Sequence, residues 1–386
     1  MKGLDGRVLY AASDVMGFLG CRHSIFLDLI DLQTPLEKAE DNAQAQLIQE
    51  RGLEHERHYL RTLQDTGLSI VEIPEDHPLP DRVAQTLNAM RQGVDVIYQA
   101  ALWHAPWHGF ADFLHRVNRA SALGDFSYEA IDCKLSQHPD PRHVLQLCVY
   151  SDLLETAQGI RPHTMSLLLG DGRKIGFRYN DFAYYSATIK QRFEAYLDAP
   201  PATSQPEPCP FCQLCKWREL CQAQWEADDH LSLIADIQRT QIAKLEAAGI
   251  TTVQALAELD EGVIVAGMLP QTLGRLRAQA RLQVGKRASG EDGLELLPPA
   301  AGRGFARLPH PDPGDLFFDM EGDPLYPDGL EYLFGFYDVA DGTPAFKPFW
   351  AHDHEAERHT FENVIDFITA HLAQYPHAHI YHYNHY

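Results

Sequence analysis

The sequence predicts an α/β protein: a mixed sheet flanked by helices, then a helical segment, then a second, shorter α/β domain. Three observations lead there. Short apolar, β-branched runs with two-residue alternation recur between amphipathic stretches of helical period up to residue 197. Residues 231 to 287 are helical in pattern throughout. The strand signal returns at 315, after a segment (288 to 314) punctuated by Gly290, Pro298, Pro299, Gly302, Pro309, Pro311 and Pro313. With 386 residues, of which 45% are hydrophobic, the chain can hold two or three domains with cores of their own.

Each element has a local reason. Residues 43 to 66 are charged and amphipathic and stop at Gly67, which reads as one long helix with a glycine cap. Strands are expected at about 68 to 73, 95 to 103, 108 to 117 and 127 to 135. A helix follows from Pro141 to about Leu154, with proline at a first turn where its missing donor does no harm. Strands near 163 to 169 and 174 to 179 and a helix from 183 to 197 complete the unit. The proline-rich stretch 200 to 210 leads into four cysteines between 209 and 221. Within the helical segment, Gly249-Ile250-Thr251-Thr252 reads as a stop, an apolar anchor and a new N-cap. Strands at 315 to 320, 331 to 339 and 344 to 350 and a helix at 355 to 373 are expected next. The last residues, from His379, are again strand-like with no closing turn, so a fragment continuing beyond Tyr386 is expected. The expected divisions are 1–229, 230–287, a linker at 288–314, and an incomplete domain at 315–386.

No stretch approaches the roughly 18 apolar residues of a membrane span, and the N-terminus has no leader pattern, so a cytoplasmic protein without membrane contact is expected. Seven cysteines, four of them clustered, point to metal ligation in a reducing compartment. The net charge of -22 opposes nonspecific affinity for nucleic acid. Screening confines charge effects to about 8 to 10 Å, so a local basic groove remains compatible with it.

The chemistry concentrates in Asp132-Cys133-Lys134, which stands 20 residues after Asp112. On a strand, Asp132 and Lys134 share a face while Cys133 points into the core and leaves its carbonyl at the site's edge. Asp112 lies in the apolar run Gly109-Phe110-Ala111-Asp112-Phe113-Leu114, where an uncompensated carboxylate is costly, so a ligand role explains it. Two carboxylates can hold a hard cation that activates water, and an ammonium beside them offsets developing charge. His55, with Glu56 beside it as a fallback ligand, sits on the long helix. Gln146 and Tyr150, one helical turn apart, share a face.

This ordered set, His55, Asp112, Asp132-x-Lys134 and Gln146-x3-Tyr150, resembles the PD-(D/E)xK nucleases. Within them it is similar to the RecB-like group, which includes the nuclease modules of RecB and AddB and the iron-sulfur nucleases of CRISPR adaptation. The resemblance implies a restriction-endonuclease-like sheet and a Mg- or Mn-dependent DNA nuclease acting on single strands or free ends. His55, Asp112, Asp132 and the Cys133 carbonyl would hold the metal, Lys134 would be the catalytic lysine, and Gln146 and Tyr150 would complete the motif. The acidic residue before x-Lys is aspartate where many relatives carry glutamate, one methylene shorter.

Cys212-x2-Cys215-x5-Cys221 can share a metal or cluster, with Cys21 as the expected fourth ligand; spacing does not choose between zinc and iron-sulfur. The resemblance to AddB-type cysteines implies a [4Fe-4S] cluster that staples a loop of about 190 residues. Cys209 leaves open a local zinc knuckle of Cys209, Cys212, Cys215 and Cys221, and Cys148 is expected in the core. Lys244 to Thr252 resembles a helix-hairpin-helix element whose helix start would take a phosphate, with Arg275, Arg277, Arg281, Lys286 and Arg287 as a basic face; a solvated helical spacer is the alternative. Phe317-Phe318-Asp319-Met320-Glu321 resembles the first motif of RNase H-like exonucleases, with His382 and Asn384 in a later one; lacking its other carboxylates, this half is expected to be inactive. The arrangement is similar to RecB-like putative nucleases that commonly continue into a helicase. A noncatalytic zinc-stabilised nucleic-acid binding module, or a scaffold, is the rival reading.

Overall fold

The computed structural model describes residues 1–4, 7–41, 43–340 and 342–383. The first unit, Met1–Leu294, opens with β1 (Lys2–Leu4), β2 (Arg7–Ala11), α1 (Ala12–Gly20), α2 (Arg22–Gln33) and α3 (Ala43–Asp65). It continues through β3 (Ile70–Glu72), α4 (Leu79–Gln92), β4 (Val96–His104), β5 (Trp107–Val117), β6 (Ser127–Cys133), α5 (Pro141–Gln158), β7 (Thr164–Leu168), β8 (Lys174–Arg178) and α6 (Tyr179–Asp198). Among the described residues these strands form one eight-stranded mixed sheet. At its centre β5 runs antiparallel to both β4 and β6, and its first residues also pair in parallel with β2. β6 then pairs in parallel with β7 across the α5 crossover, and β7 turns back into β8.

Both faces of the sheet are covered. On one, Val144, Leu147 and Leu154 of α5 join Phe18, Met90 and Phe193 over Leu114, Tyr128 and Ala130. On the other, Leu60 and Leu63 of α3 pack on Val96, Phe113, Ile131 and Cys133. The period-two alternation of β6 is thereby realised: Cys133 faces α3 and Asp132 the opposite side. Gly109 lets α5 approach β5 closely, since a Cβ there would lie 2.6 Å from the Tyr150 ring. Asp140 caps α5 by accepting from the Arg142 N–H at 2.8 Å.

The long helix, its αL glycine at Gly67 and the strands of the centre fall where the sequence puts them. α1, α2, α4 and the β1–β2 pair carry no strong sequence signal and appear only in the structure. The helical segment is interrupted: α8 (Arg239–Ala247), α9 (Val253–Ala257) and α10 (Pro270–Ser289) follow α7 (Arg218–Ala227), with Gly262, Gly267 and Pro270 breaking the run before α10. They bury a separate core of Leu231, Leu245, Val253, Leu256 and Leu276 within the same unit.

The second unit, Glu295–Tyr386, begins inside the expected linker. β9 (Leu316–Asp323), β10 (Leu330–Asp338), β11 (Ala345–Trp350), α11 (His354–Gln374) and β12 (Ile380–His382) give a sheet of order β11-β10-β9-β12, with β12 parallel to β9. Leu316, Phe334, Phe336 and Val364 form its core. Asn384 lies outside the described residues. No helix among the described residues is long and apolar enough to cross a membrane.

Burial sets a pH dependence of stability. Desolvation pulls the pKa of His108 and of His115 down from 6.5 to about 4. The unfolded chain takes those protons near 6.5, so this stability is complete above that pH and is lost as pH falls to about 4, roughly 3 kcal/mol per histidine. His108→Leu is expected to remove about half of that slope. Urea unfolding at pH 7 and pH 4.5 checks it, and an unchanged difference between wild type and variant would count against the account.

Candidate functional site

β6 delivers Asp132, 1% exposed, and Lys134 follows immediately, its Nζ 2.5 Å from Asp132 Oδ2. Asp112, on β5, accepts the Cys133 N–H at 2.6 Å through Oδ2, and stands next in register to Asp132 beyond the Phe113↔Ile131 pair. Burial, then the charges of Asp132 and Glu56, holds the Asp112 pKa well above the ordinary range. Burial also raises Asp132, with Lys134 opposing. Two carboxyls this close and this dry share protons unless a cation compensates them. Burial works against the Lys134 charge, but Asp132 and Asp112 outweigh it and raise its pKa.

From α5, Gln146 Nε2 donates to Asp132 Oδ1 at 3.2 Å and to the Tyr150 hydroxyl at 2.6 Å. Burial, followed by Asp132 and Asp112, holds the Tyr150 phenol far above its usual value. The predicted Asp112, Asp132, Lys134, Gln146 and Tyr150 are thus assembled around one point. Gln146 Oε1 and His55 Nε2 are buried without a hydrogen bond among the described residues.

His55 departs from expectation. It lies against the Leu168 carbonyl, which also accepts the Lys134 N–H at 2.8 Å, and burial lowers its pKa. The third carboxylate acting on Asp112 is instead Glu56, the next residue of α3. Glu56 accepts from Gln99 at 2.8 Å and from the Tyr98 hydroxyl at 3.3 Å, and burial then Asp132 raise its pKa. Helical rotation of about 100° per residue separates the two side chains, and only packing decides which of them faces the strands. His143, one turn before Gln146 on α5, also feels Lys134 and Asp132, a placement legible only from the helix spacing once Gln146 is known. Among the described residues, no three His, Cys, Asp or Glu side chains stand ready to coordinate one metal.

The cysteines converge from distant segments. Cys21 separates α1 from α2, and a Cβ on Gly20 would lie 3.1 Å from the Phe211 ring, so glycine allows this approach. Cys21, Cys212, Cys215 and Cys221 line a cavity of about 500 Å³. Cys209 Sγ sits 3.7 Å from Cys212 Sγ, and the Cys209 N–H points at that same sulfur. Burial, then the neighbouring thiols, pushes Cys221 up to about 12, and burial takes Cys212 to about 11. Trp217, fully buried, donates to Asp28 of α2 at 2.9 Å, and the Ala39 N–H donates to the Lys216 carbonyl at 2.8 Å. Cys148 is buried in the main core, as expected.

Where a helix-hairpin-helix element is expected, α8 and α9 flank Gly249, whose φ is 79°. α9 is five residues long and its N-terminal donors are met locally, the Thr252 hydroxyl accepting from Ala255. Arg277 pairs with Glu261, Arg287 with Asp229 and Lys286 with Asp292, and Arg281 donates to the Ala257 carbonyl, which leaves little basic face beyond the exposed Arg275.

In the second unit, Phe317, Asp319 and Glu321 alternate on the open face of β9, while Leu316, Phe318 and Met320 face α11. Asp319 and Glu321 line a cavity of about 870 Å³ together with Tyr337, Phe346, Tyr381 and His382. No curated protein matches the chain. Residues 316–386 match the RNase_H superfamily, so this segment carries a nuclease-type, RNase H-like fold.

Proposed function

We propose that the chain is a RecB-like, PD-(D/E)xK nuclease that hydrolyses DNA phosphodiesters at the Asp112, Asp132 and Lys134 cluster of its first unit. The observation that carries this reading is a half-buried Asp112 and a buried Asp132 on paired strands, with a lysine ammonium 2.5 Å from the second. Three neighbouring carboxyls of raised pKa, an all-oxygen donor set, fit a hard divalent cation, which would neutralise what burial otherwise forces to protonate. Asp112, Asp132 and Glu56 would hold Mg or Mn, with His55 and the Cys133 carbonyl at the edge. When bound, such a cation polarises a phosphodiester oxygen and lowers the pKa of water. Lys134, kept charged by its carboxylate neighbours, would turn from Asp132 toward the reacting phosphate and offset its charge. Gln146 fixes Asp132 through its amide, and Tyr150 fixes Gln146.

Nuclease action in the first unit is tested with single-stranded and blunt oligonucleotides labelled at either end. Cleavage that needs Mn or Mg and stops with chelator supports it; no cleavage under any of these conditions removes it.

A [4Fe-4S] cluster held by Cys21, Cys212, Cys215 and Cys221 is proposed as a structural cross-link between the N-terminal helices and residues 209–221. Thiols lifted to about 11 and 12 by burial and by one another fit a cationic centre that would take them as thiolates, and backbone N–H groups aimed at Cys212 and Cys215 favour that form. Cys21→Ser is expected to lose most iron and visible absorbance from anaerobically purified protein, and Cys209→Ser to retain both. The reverse pattern, or stoichiometric zinc, would favour the local knuckle.

A further inference from the structure

Consecutive side chains of a regular strand leave by opposite faces. Tyr98 and Gln99, neighbours on β4, nevertheless both donate to one oxygen of Glu56, at 3.3 Å and 2.8 Å. The backbone explains how: Gln99 has φ 55°, the left-handed region that a side-chain-bearing residue occupies only where its surroundings compel it. The ladder passes from Tyr98↔Phe113 to Ala100↔Ala111, so this departure falls opposite Asp112. Arg82 secures it. The residue is 7% exposed, its Nη2 donates to the Gln99 carbonyl at 3.2 Å, and its guanidinium lies 4.3 Å from the Phe110 ring centroid.

A bend alone would be met without strain by glycine. What glycine cannot supply is the amide, and that amide goes to Glu56. We propose that Gln99 is a positioning residue, whose left-handed backbone, held by Arg82, turns its amide onto Glu56 and so sets where that carboxylate stands when a cation gathers it with Asp112 and Asp132. The inference rests on reading those carboxylates as a divalent-cation site.

Calorimetric titration of the full chain with Mn²⁺, paired with thermal unfolding, tests it. Wild type is expected to bind, and Asp132→Asn to lose binding. Gln99→Gly is expected to bind about 10-fold more weakly with no fall in Tm, because glycine accepts φ 55° freely while the amide is gone. Gln99→Asn, tolerant of the left-handed region but too short to reach Glu56, should weaken binding likewise and serves if the glycine variant folds poorly. A structural residue would instead lower Tm and leave Mn²⁺ affinity unchanged. Wild-type affinity in both Gln99 variants, with Asp132→Asn still defective, overturns the role of Gln99. Absence of Mn²⁺ binding by wild type overturns the cation-site reading beneath it.

Discussion

Lys134→Ala is expected to lower metal-dependent cleavage by about 10²- to 10³-fold while leaving the fold in place, the loss typical of removing one preorganised charge from a water-poor site. The side chain is only 23% exposed, and its ammonium is paired with Asp132. Since Asp132 and Asp112 raise its pKa, it acts as a fixed cation and not as a proton acceptor near neutral pH. Lys134→Arg is expected to fail as well, because a wider, planar guanidinium on a longer stem cannot put its charge where the compact ammonium meets Asp132. Asp319→Asn is the control. It alters the carboxylate pair of the RNase H-like segment and is expected to leave cleavage unchanged, which assigns the activity to the first unit. Full cleavage by Lys134→Ala, or its loss in Asp319→Asn, would move the chemistry out of the proposed cluster. Circular dichroism of each variant separates lost catalysis from lost folding.

The second large effect concerns stability. Trp217→Ala is expected to destabilise the first unit by about 3 to 5 kcal/mol, the usual cost of emptying a fully packed aromatic site. Trp217 is completely buried, its indole N–H donates to Asp28 at 2.9 Å, and the ammonium groups of Lys38 and Lys216 lie 5.6 and 4.9 Å from its ring centroid. It therefore joins α2 to the segment that carries Cys212, Cys215 and Cys221. Trp217→Phe keeps most of the apolar surface and loses only the donor, so about 1 to 2 kcal/mol is expected. Urea unfolding followed by far-ultraviolet circular dichroism measures both. A Trp217→Ala loss below 1 kcal/mol would mean that the cysteine segment is held by other contacts.

Charge and function fit together through locality. A net charge of -22 describes the whole surface, whereas the chemistry proposed here depends on one lysine among buried acids. Three arginines of α10, Arg277, Arg287 and Arg281, are engaged with Glu261, Asp229 and the Ala257 carbonyl and offer little compensating basic face. Nucleic-acid affinity at this site would then rest on a bound cation more than on a basic groove, and would fall with chelator as well as with salt.

Period-two alternation was enough to place Asp132 and Lys134 on one side and Cys133 in the core, because strand geometry is local. Helical spacing likewise placed Gln146 beside Tyr150, and the glycine at 67 marked the end of the long helix. Which residue of that helix meets the strands beside the carboxylates was not legible: His55 and Glu56 are sequence neighbours, and only packing of α3 on the sheet turned Glu56 toward Tyr98 and Gln99 and His55 toward the Leu168 carbonyl. The same holds for Gln99, whose left-handed backbone is unfavourable locally and exists because Arg82 and Glu56 compel it. Cysteine spacing proposed that Cys21 joins Cys212, Cys215 and Cys221, but that the four line one cavity depends on Gly20 meeting Phe211 and Trp217 meeting Asp28. The sequence by itself determined which residues share a strand face or a helix face, since those periods come from backbone geometry. Tertiary structure alone decided which faces meet, since that depends on burial and shape summed over the whole unit.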